Sequence, residues 1–359
     1  MKIVTDASLL LSQLRVISKL TPADSGNVSI VVKDNNMYLY SYANAGSYKS
    51  VVPCDECTGD EAFAVSIEPL KTMLAKRSKV TLQLVNTMLV ITEKGYKAEL
   101  STSDPTEYNT ITELAVEKEQ VKKYKISVDQ GKWLKSALAE VRLATVEALS
   151  PFMPITLKIT DKGAFVACYD NNHLAFVRSK EMTGTLDLTV PCEMLISVVD
   201  AFQNSNFTME VGENNVYVKN KLLNITLSLP LSDSYLQVDE LLAVANQTLK
   251  AKGEEIRVSK ASILDFMDSC KAVATKERSE LKVKAQGKKL GMQVKTITGA
   301  VNQNITMEES CNTSFSLDFA YLEEAIRKSK NDIVTIKVIK DTSVLVGAKN
   351  GWSIISVFE

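Results

Sequence analysis

The sequence predicts an α+β protein built from three tandem copies of one domain, each an antiparallel sheet carrying two helices. Three observations carry that prediction. Val65-Ser-Ile-Glu-Pro-Leu70 returns as Val190-Pro-Cys-Glu-Met-Leu195 and as Leu317-Asp-Phe-Ala-Tyr-Leu322, at spacings of 125 and 127 residues. An opening landmark, Val4-Thr-Asp-Ala-Ser-Leu9-Leu10, returns as Val128-Asp-Gln-Gly-Lys-Trp133-Leu134 and Val258-Ser-Lys-Ala-Ser-Ile263-Leu264, with offsets of 124 and 130. Between these landmarks strands with period-two alternation dominate. A period of this length is the size of a whole domain rather than of a solenoid repeat. The implied boundaries are 1–122, 123–245 and 246–359.

Each copy opens with a short strand, at Lys2–Val4, Lys125–Val128 or Glu255–Val258. A polar residue follows (Thr5, Asp129 or Ser259) whose side-chain oxygen suits an N-cap. An amphipathic helix comes next; in the first copy Leu9, Leu10, Leu14, Ile17 and Leu20 share one face. Alternating strands such as Val28–Val32 and Met37–Tyr40 are punctuated by turns at Asp34-Asn35-Asn36 and Thr160-Asp-Lys-Gly163. A second helix is predicted at Ile67–Arg77, Cys192–Gln203 and Phe319–Lys330. Two strands then close each copy: Val80–Val85 with Met88–Thr92, Phe207–Val211 with Val216–Val218, and Ile333–Ile339 with Ser343–Val346. The charged stretches Pro105–Tyr124 and Ser232–Glu255 read as exposed crossings between copies.

Composition narrows the functional classes. The chain has 359 residues, 45% of them hydrophobic, and a net charge of −1. No apolar run approaches the roughly 20 residues that span a bilayer, and the start lacks a signal-peptide core, so a soluble cytoplasmic protein is expected. The six cysteines read as reduced thiols. Catalysis and cofactors find little support. His173 is the sole histidine, Cys54-Asp-Glu-Cys57 has no second pair at zinc spacing, and no glycine-rich phosphate loop is present. A hydrolase would need clustered carboxylates in one cleft, and the adjacent Glu323 and Glu324 read as a solvated helix face.

The even charge balance hides a segregation. Six helical windows, 6–20, 67–79, 128–143, 191–204, 259–278 and 318–331, hold sixteen bases against twelve acids. The remainder holds 26 bases against 31 acids. Lys71, Lys76, Arg77 and Lys79 cluster in one window, and Arg327, Lys328 and Lys330 in its third-copy counterpart. Cations near helix C-termini complement the dipole whatever their function. Their recurrence also suits a shared basic surface.

The order of elements, the triplication and the length together resemble the bacterial β sliding clamp, the processivity factor of replicative DNA polymerase. The resemblance covers essentially the whole chain. The opening Met1-Lys-Ile-Val-Thr-Asp-Ala-Ser-Leu-Leu and the closing Trp352-Ser-Ile-Ile-Ser-Val-Phe-Glu359 fit that family. Val166-Ala-Cys-Tyr-Asp-Asn-Asn-His-Leu-Ala175 is similar to its Ala-Thr-Asp-Gly-His-Arg-Leu-Ala stretch. Asn171 stands at that stretch's glycine, His173 at its arginine, and a Met-Pro-Met ending is absent, which suits a divergent, phage-encoded member.

The resemblance implies a head-to-tail homodimeric ring whose helices line a central channel around duplex DNA, without sequence readout. The implied DNA-facing bases are Arg15, Lys19, Lys71, Lys76, Arg77, Lys79, Lys132, Lys135, Arg142, Lys271, Lys276, Arg327, Lys328 and Lys330. It also implies a pocket for short hydrophobic peptides of polymerase and clamp loader, walled by Met153, Tyr169, Asn172, His173, Leu174, Ser353 and Ile355. The subunit interface would involve the second helix of copy one and the region of Val273 and Ala274. No cofactor or metal is implied, and no membrane partner. The alternative is a monomeric three-domain polymerase accessory protein that binds DNA by charge without enclosing it.

Overall fold

This computed structural model describes residues 1–20, 26–34, 36–43, 46–105, 122–143, 153–170, 172–202, 204–212, 215–220, 225–230, 238–274, 279–348 and 350–358. Residues 19–20, 42–43, 46, 193, 225–230 and 238 are described by backbone alone. The first third runs β1 (Lys2–Asp6), α1 (Ala7–Leu20), β2 (Asn27–Lys33), β3 (Asn36–Ala43), β4 (Gly46–Val52), β5 (Glu56–Thr58), β6 (Ala62–Ser66), α2 (Ile67–Leu74), β7 (Lys79–Val85), β8 (Met88–Glu93) and β9 (Tyr96–Ser101). The second runs β10 (Lys122–Ile126), α3 (Val128–Val141), β11 (Pro154–Thr160), β12 (Gly163–Tyr169), β13 (His173–Ser179), β14 (Leu186–Pro191), α4 (Cys192–Phe202), β15 (Phe207–Val211), β16 (Asn215–Asn220) and β17 (Ile225–Pro230). After α5 (Val238–Lys250) come β18 (Glu254–Ser259), α6 (Lys260–Cys270), β19 (Glu280–Thr296), β20 (Gly299–Asp318), α7 (Phe319–Lys328), β21 (Ile333–Ile339), β22 (Ser343–Gly347) and β23 (Gly351–Ser356).

The α+β alternation expected from the landmarks is therefore present, with local corrections. Three strands close each third, not two: β9 and β17 were missed. β9 alternates only between half-buried and exposed positions, so its apolar signal is faint. Ser232–Glu255 is no bare crossing, because it contains α5. Most of Pro105–Tyr124 lies outside the described residues.

The expected caps are also displaced. Asp6 caps α1, its Oδ1 accepting from the amides of Ser8 (2.7 Å) and Leu9 (3.2 Å). With the Ser8 hydroxyl, these donors hold the Asp6 carboxyl below its usual range. Thr5 donates instead to the Pro53 carbonyl. In α3 the cap is Ser127, which forms a reciprocal box with Gln130, while Asp129 sits inside the first turn. Ser259 makes no side-chain cap.

The strands form three antiparallel sheets, ordered β5-β1-β7-β8-β9, β10-β15-β16-β17-β4-β3-β2-β6 and β14-β11-β12-β13-β23-β22-β21-β18-β20-β19. Two of the sheets contain strands from neighbouring thirds. β17 pairs with β4, setting Leu227 opposite Tyr48. β23 pairs with β13, setting Ile354 opposite Leu174 and Ile355 opposite His173. In each case the last strand of one third extends the outermost hairpin strand of the third before it. The chain accordingly clusters into two compact units that each span parts of two thirds, Met1–Lys135 with Met194–Leu231, and Ser136–Glu193 with Ser232–Glu359.

Within the first unit, α1 buries Leu10, Leu14 and Ile17 as its periodicity predicts, and Tyr48 on β4 donates to the buried Gln13. Leu9 is only half-buried, and the Leu20 side chain is outside the described atoms. In the second unit α6 and α7 place Ile263, Phe266, Met267, Leu322 and Ile326 against one face of the ten-stranded sheet. The opposite face at β12, β13, β22 and β23 is covered by α5, which buries Leu241 and Ala245.

Backbone approach at the second junction is tight. A Cβ on Gly351 would lie 2.1 Å from the Phe176 carbonyl oxygen, so only glycine permits the ladder there. Gly351→Ala is expected to destabilise the protein by about 1–3 kcal/mol, as overpacking does. Urea unfolding checks this; an unchanged midpoint would show that the β13–β23 ladder is not under this constraint.

Candidate nucleic-acid and peptide interfaces

Most of the basic residues singled out from the sequence have acidic neighbours. Lys71 on α2 donates to Glu68 (2.6 Å) and to the Ser18 hydroxyl (3.0 Å). Lys79, which starts β7 and so is not helical, pairs with Asp55 at 2.7 Å. That contact raises its pKa. Lys132 meets Asp129 at 3.4 Å, and Lys135 meets Asp200 at 2.8 Å. Lys271 and Arg327 share Asp268 (2.8 and 2.6 Å) and Glu323 (3.7 and 2.7 Å). Lys328 pairs with Glu324 at 2.5 Å and donates to the Arg142 carbonyl. Arg15, Lys76, Arg142 and Lys330 are exposed. Lys276 lies outside the described residues, as does the Lys19 side chain.

Arg77 has a different job. Its guanidinium stacks on the Tyr96 ring, 3.6 Å from the centroid, and faces Glu93 at 3.5 Å. Glu93 in turn caps the Ser78 amide, and that hydrogen bond leads the causes that lower its pKa. Arg77 therefore ties the end of α2 to β8 and β9 rather than pointing freely outward.

In the second unit the basic residues gather. Lys260, Arg327, Lys328 and Lys330 surround a cavity of about 510 Å³ with Ser136, Ala139, Ser329 and Glu140. Lys260 is not among the bases expected from the sequence; it opens α6, where the helix dipole disfavours a cation. Its Nζ donates to the Arg327 and Ser329 carbonyls at the end of α7, which explains its position. Exposed ion pairs contribute only about 0–1 kcal/mol each, so a phosphate oxygen can replace a carboxylate partner at little cost. Such a surface favours weak, exchangeable phosphate contacts.

The predicted peptide wall divides along the strand alternation. Tyr169 and Leu174 share a face with Phe165, Phe176, Leu345 and Ile354, and that face lies under α5. His173, Ser353 and Ile355 are buried on the other side, where Ile355 joins the α6–α7 core. They do not form one wall with Leu174, because adjacent residues of a strand point to opposite faces. The residue of the closing strand that joins Leu174 is Ile354. Both isoleucines are buried because both faces are covered, so alternation in Trp352–Ser356 gave no parity signal. Met153 is buried ahead of β11, and its carbonyl accepts from the Cys192 amide. Asn172 is half-buried in a turn organised by Asp170, whose Oδ1 accepts from the amides of Asn172 and His173 at 2.8 Å each. Asn171 lies outside the described residues.

His173 sits edge-on to Tyr321, with ring centroids 5.3 Å apart, and neither ring nitrogen has a hydrogen-bond partner. Burial, with a smaller contribution from the Lys328 charge, pushes its pKa down to about 3. The imidazole is thus neutral in the fold, whereas the unfolded chain takes up a proton below about pH 6.5. Stability from this site is full above that pH and is lost as pH falls from 6.5 towards 3. Between pH 6.5 and 5 the native protein should lose about 2 kcal/mol relative to His173→Leu, read by urea unfolding of both proteins. Parallel pH profiles would contradict a buried neutral imidazole. Arg77→Ala should cost about 1–2 kcal/mol in the same assay, and Lys76→Ala less than about 0.5 kcal/mol. Equal effects would contradict a structural role for Arg77.

No family model matches the sequence, and no curated protein matches it. Solved structures do. The DNA polymerase III beta subunit of Thermotoga maritima superposes with a TM-score of 0.82 at 12% identity, covering 100% of this chain and 99% of that one. The DNA polymerase sliding clamp of Bacillus subtilis gives 0.76 at 14% identity, covering 100% and 99%. A putative DNA polymerase III beta subunit of Eubacterium rectale gives 0.77 at 11% identity, covering both chains fully. Across its whole length, this chain has the three-domain α+β fold of the DNA polymerase III beta sliding clamps.

Proposed function

We propose that the protein is a DNA sliding clamp, a non-enzymatic processivity factor that encircles duplex DNA as a head-to-tail homodimer and tethers a replicative polymerase. The observation that carries this reading is the rule by which its strands join. The last strand of the second copy pairs with the outermost hairpin strand of the first (β17 on β4), and that of the third with that of the second (β23 on β13). The same rule leaves one matching pair of edges. β9, the last strand of the first copy, is terminal in its sheet, and Gly299–Thr306 of β20 pairs only with β19 among the described residues. A second copy of the chain, placed head to tail, matches these edges by the same rule. Two such junctions close a ring of six domains, with the domains bounded at 1–122, 123–245 and 246–359.

The electrostatics agree with this task. Enclosure makes strong binding unnecessary, and strong binding would stop sliding. Bases held in exchangeable ion pairs on and just beyond the helices give contacts of that kind. Polymerase and clamp loader would dock through short hydrophobic peptides at the β13–β23 region, and the protein would work in the cytoplasm of a bacterium or of a phage's host.

Two readouts test the proposal. Sedimentation should give twice the 39.5 kDa chain mass, and clamp placed on nicked circular DNA should stay bound at high salt until the circle is cut. A mass of 39.5 kDa at micromolar concentration, with retention that ignores linearisation, favours the monomeric accessory protein instead. Arg15→Glu with Lys76→Glu should lower processive synthesis and leave the mass unchanged.

A further inference from the structure

The apolar face that carries Tyr169 and Leu174 of the expected peptide wall is already covered by part of the same chain. α5 lies over Phe165, Tyr169, Leu174, Phe176, Leu345 and Ile354. It contributes a narrow stripe in which Leu241 and Ala245 are buried, and Leu242 and Leu249 are partly so. The i, i+4, i+8 spacing of Leu241, Ala245 and Leu249 places them along one edge of the helix. Among the described residues, Asp239 pairs with Lys158 at 2.7 Å, Asn246 accepts from Arg178 at 2.9 Å, and the Leu249 carbonyl accepts from Lys337 at 3.5 Å. Val244 on the same helix remains 45% exposed. α7 is a shorter helix, yet it buries five residues in the core on the opposite side of the sheet. α5 therefore covers this apolar face through two buried side chains, against the five that α7 buries in the core.

We propose that α5 is a tethered, displaceable occupant of the partner-peptide groove, so that a partner binds by exchanging with the chain's own helix. This rests on the clamp reading and adds a regulatory step to it. The occupant itself indicates the chemistry the groove accepts. A partner segment would present two or three aliphatic side chains, preceded by an acidic residue that takes over Lys158 from Asp239. A covalently attached competitor acts at an effective concentration near the millimolar range, so a weak segment is excluded and only a well-matched one enters. The apparent affinity of a partner is its affinity for the open groove reduced by the open fraction.

The test uses a labelled synthetic peptide of residues 238–250 against the full-length chain. Native protein should bind it poorly, because the groove is occupied in cis. Leu241→Asp with Ala245→Asp, which loosens the attached helix, should tighten peptide binding by at least about tenfold. Adding Ile354→Asp should abolish that gain. Independently, amide exchange in the native protein should be at least about tenfold faster along α5 than along α7, reporting local opening. Failure of the double variant to gain affinity, or exchange along α5 as slow as along α7, overturns the proposal. If the double variant does not fold, the exchange measurement on native protein still decides. A dimeric protein that fails these tests keeps the clamp reading and loses the helix; a monomeric native protein sinks the clamp reading itself.

Discussion

Strand pairing between neighbouring copies is the constraint on which the rest of this structure depends. An exposed strand edge is a row of unsatisfied donors and acceptors that will pair with whatever fits it. Here two such edges are satisfied within the chain, by β17 on β4 and by β23 on β13. Register at the second junction then fixes everything built upon it. Gly351 must be glycine because the Phe176 carbonyl is so close. Leu174 and Ile354 face α5, while His173 and Ile355 face α6 and α7. A slip of one residue would exchange the two faces and drive the histidine under α5.

Charge follows a complementary logic. The sequence windows hold a surplus of bases, but the helices themselves carry nine bases against eleven acids, because Lys76, Arg77, Lys79, Arg142, Lys271 and Lys330 lie beyond the helix ends. Lys71, Lys132, Lys135, Lys271, Arg327 and Lys328 each sit within 4 Å of an acid. Solvent-exposed pairs of this sort stabilise the fold little. The value of the exposed pairs, such as Lys132–Asp129 and Lys271–Asp268, lies in exchange, since these bases can pass from carboxylate to phosphate without leaving a charge buried. Arg77 is the exception, its stacking on Tyr96 making it a structural cation.

The sequence was informative where periodicity and repetition act together. α2, α4 and α7 begin within the landmark repeats because each strand-to-helix transition reuses one apolar pattern. The core face of α1 was likewise legible from its spacing. Three features were not. Thr5, Asp129 and Ser259 are chemically able to cap, but local geometry gives the role to Asp6 in α1 and to Ser127 in α3. α5 lay hidden in a charged stretch because only its narrow stripe is apolar. The parity of Ile354 and Ile355 was undecidable, since burial on both faces erases the alternation from which parity is read. The resemblance named residues of β12, β13 and β23 for the peptide wall, and strand alternation puts them on two sides of the sheet.

Hydrogen exchange at the unmatched edges tests the central claim most directly. If two chains join as the internal junctions do, the amides of Tyr96–Ser101 and those of Gly299–Thr306 are protected together at high protein concentration. They should lose protection together on dilution, while β4 and β17 stay protected. Exchange at both edges that does not depend on concentration would contradict closure by edge pairing.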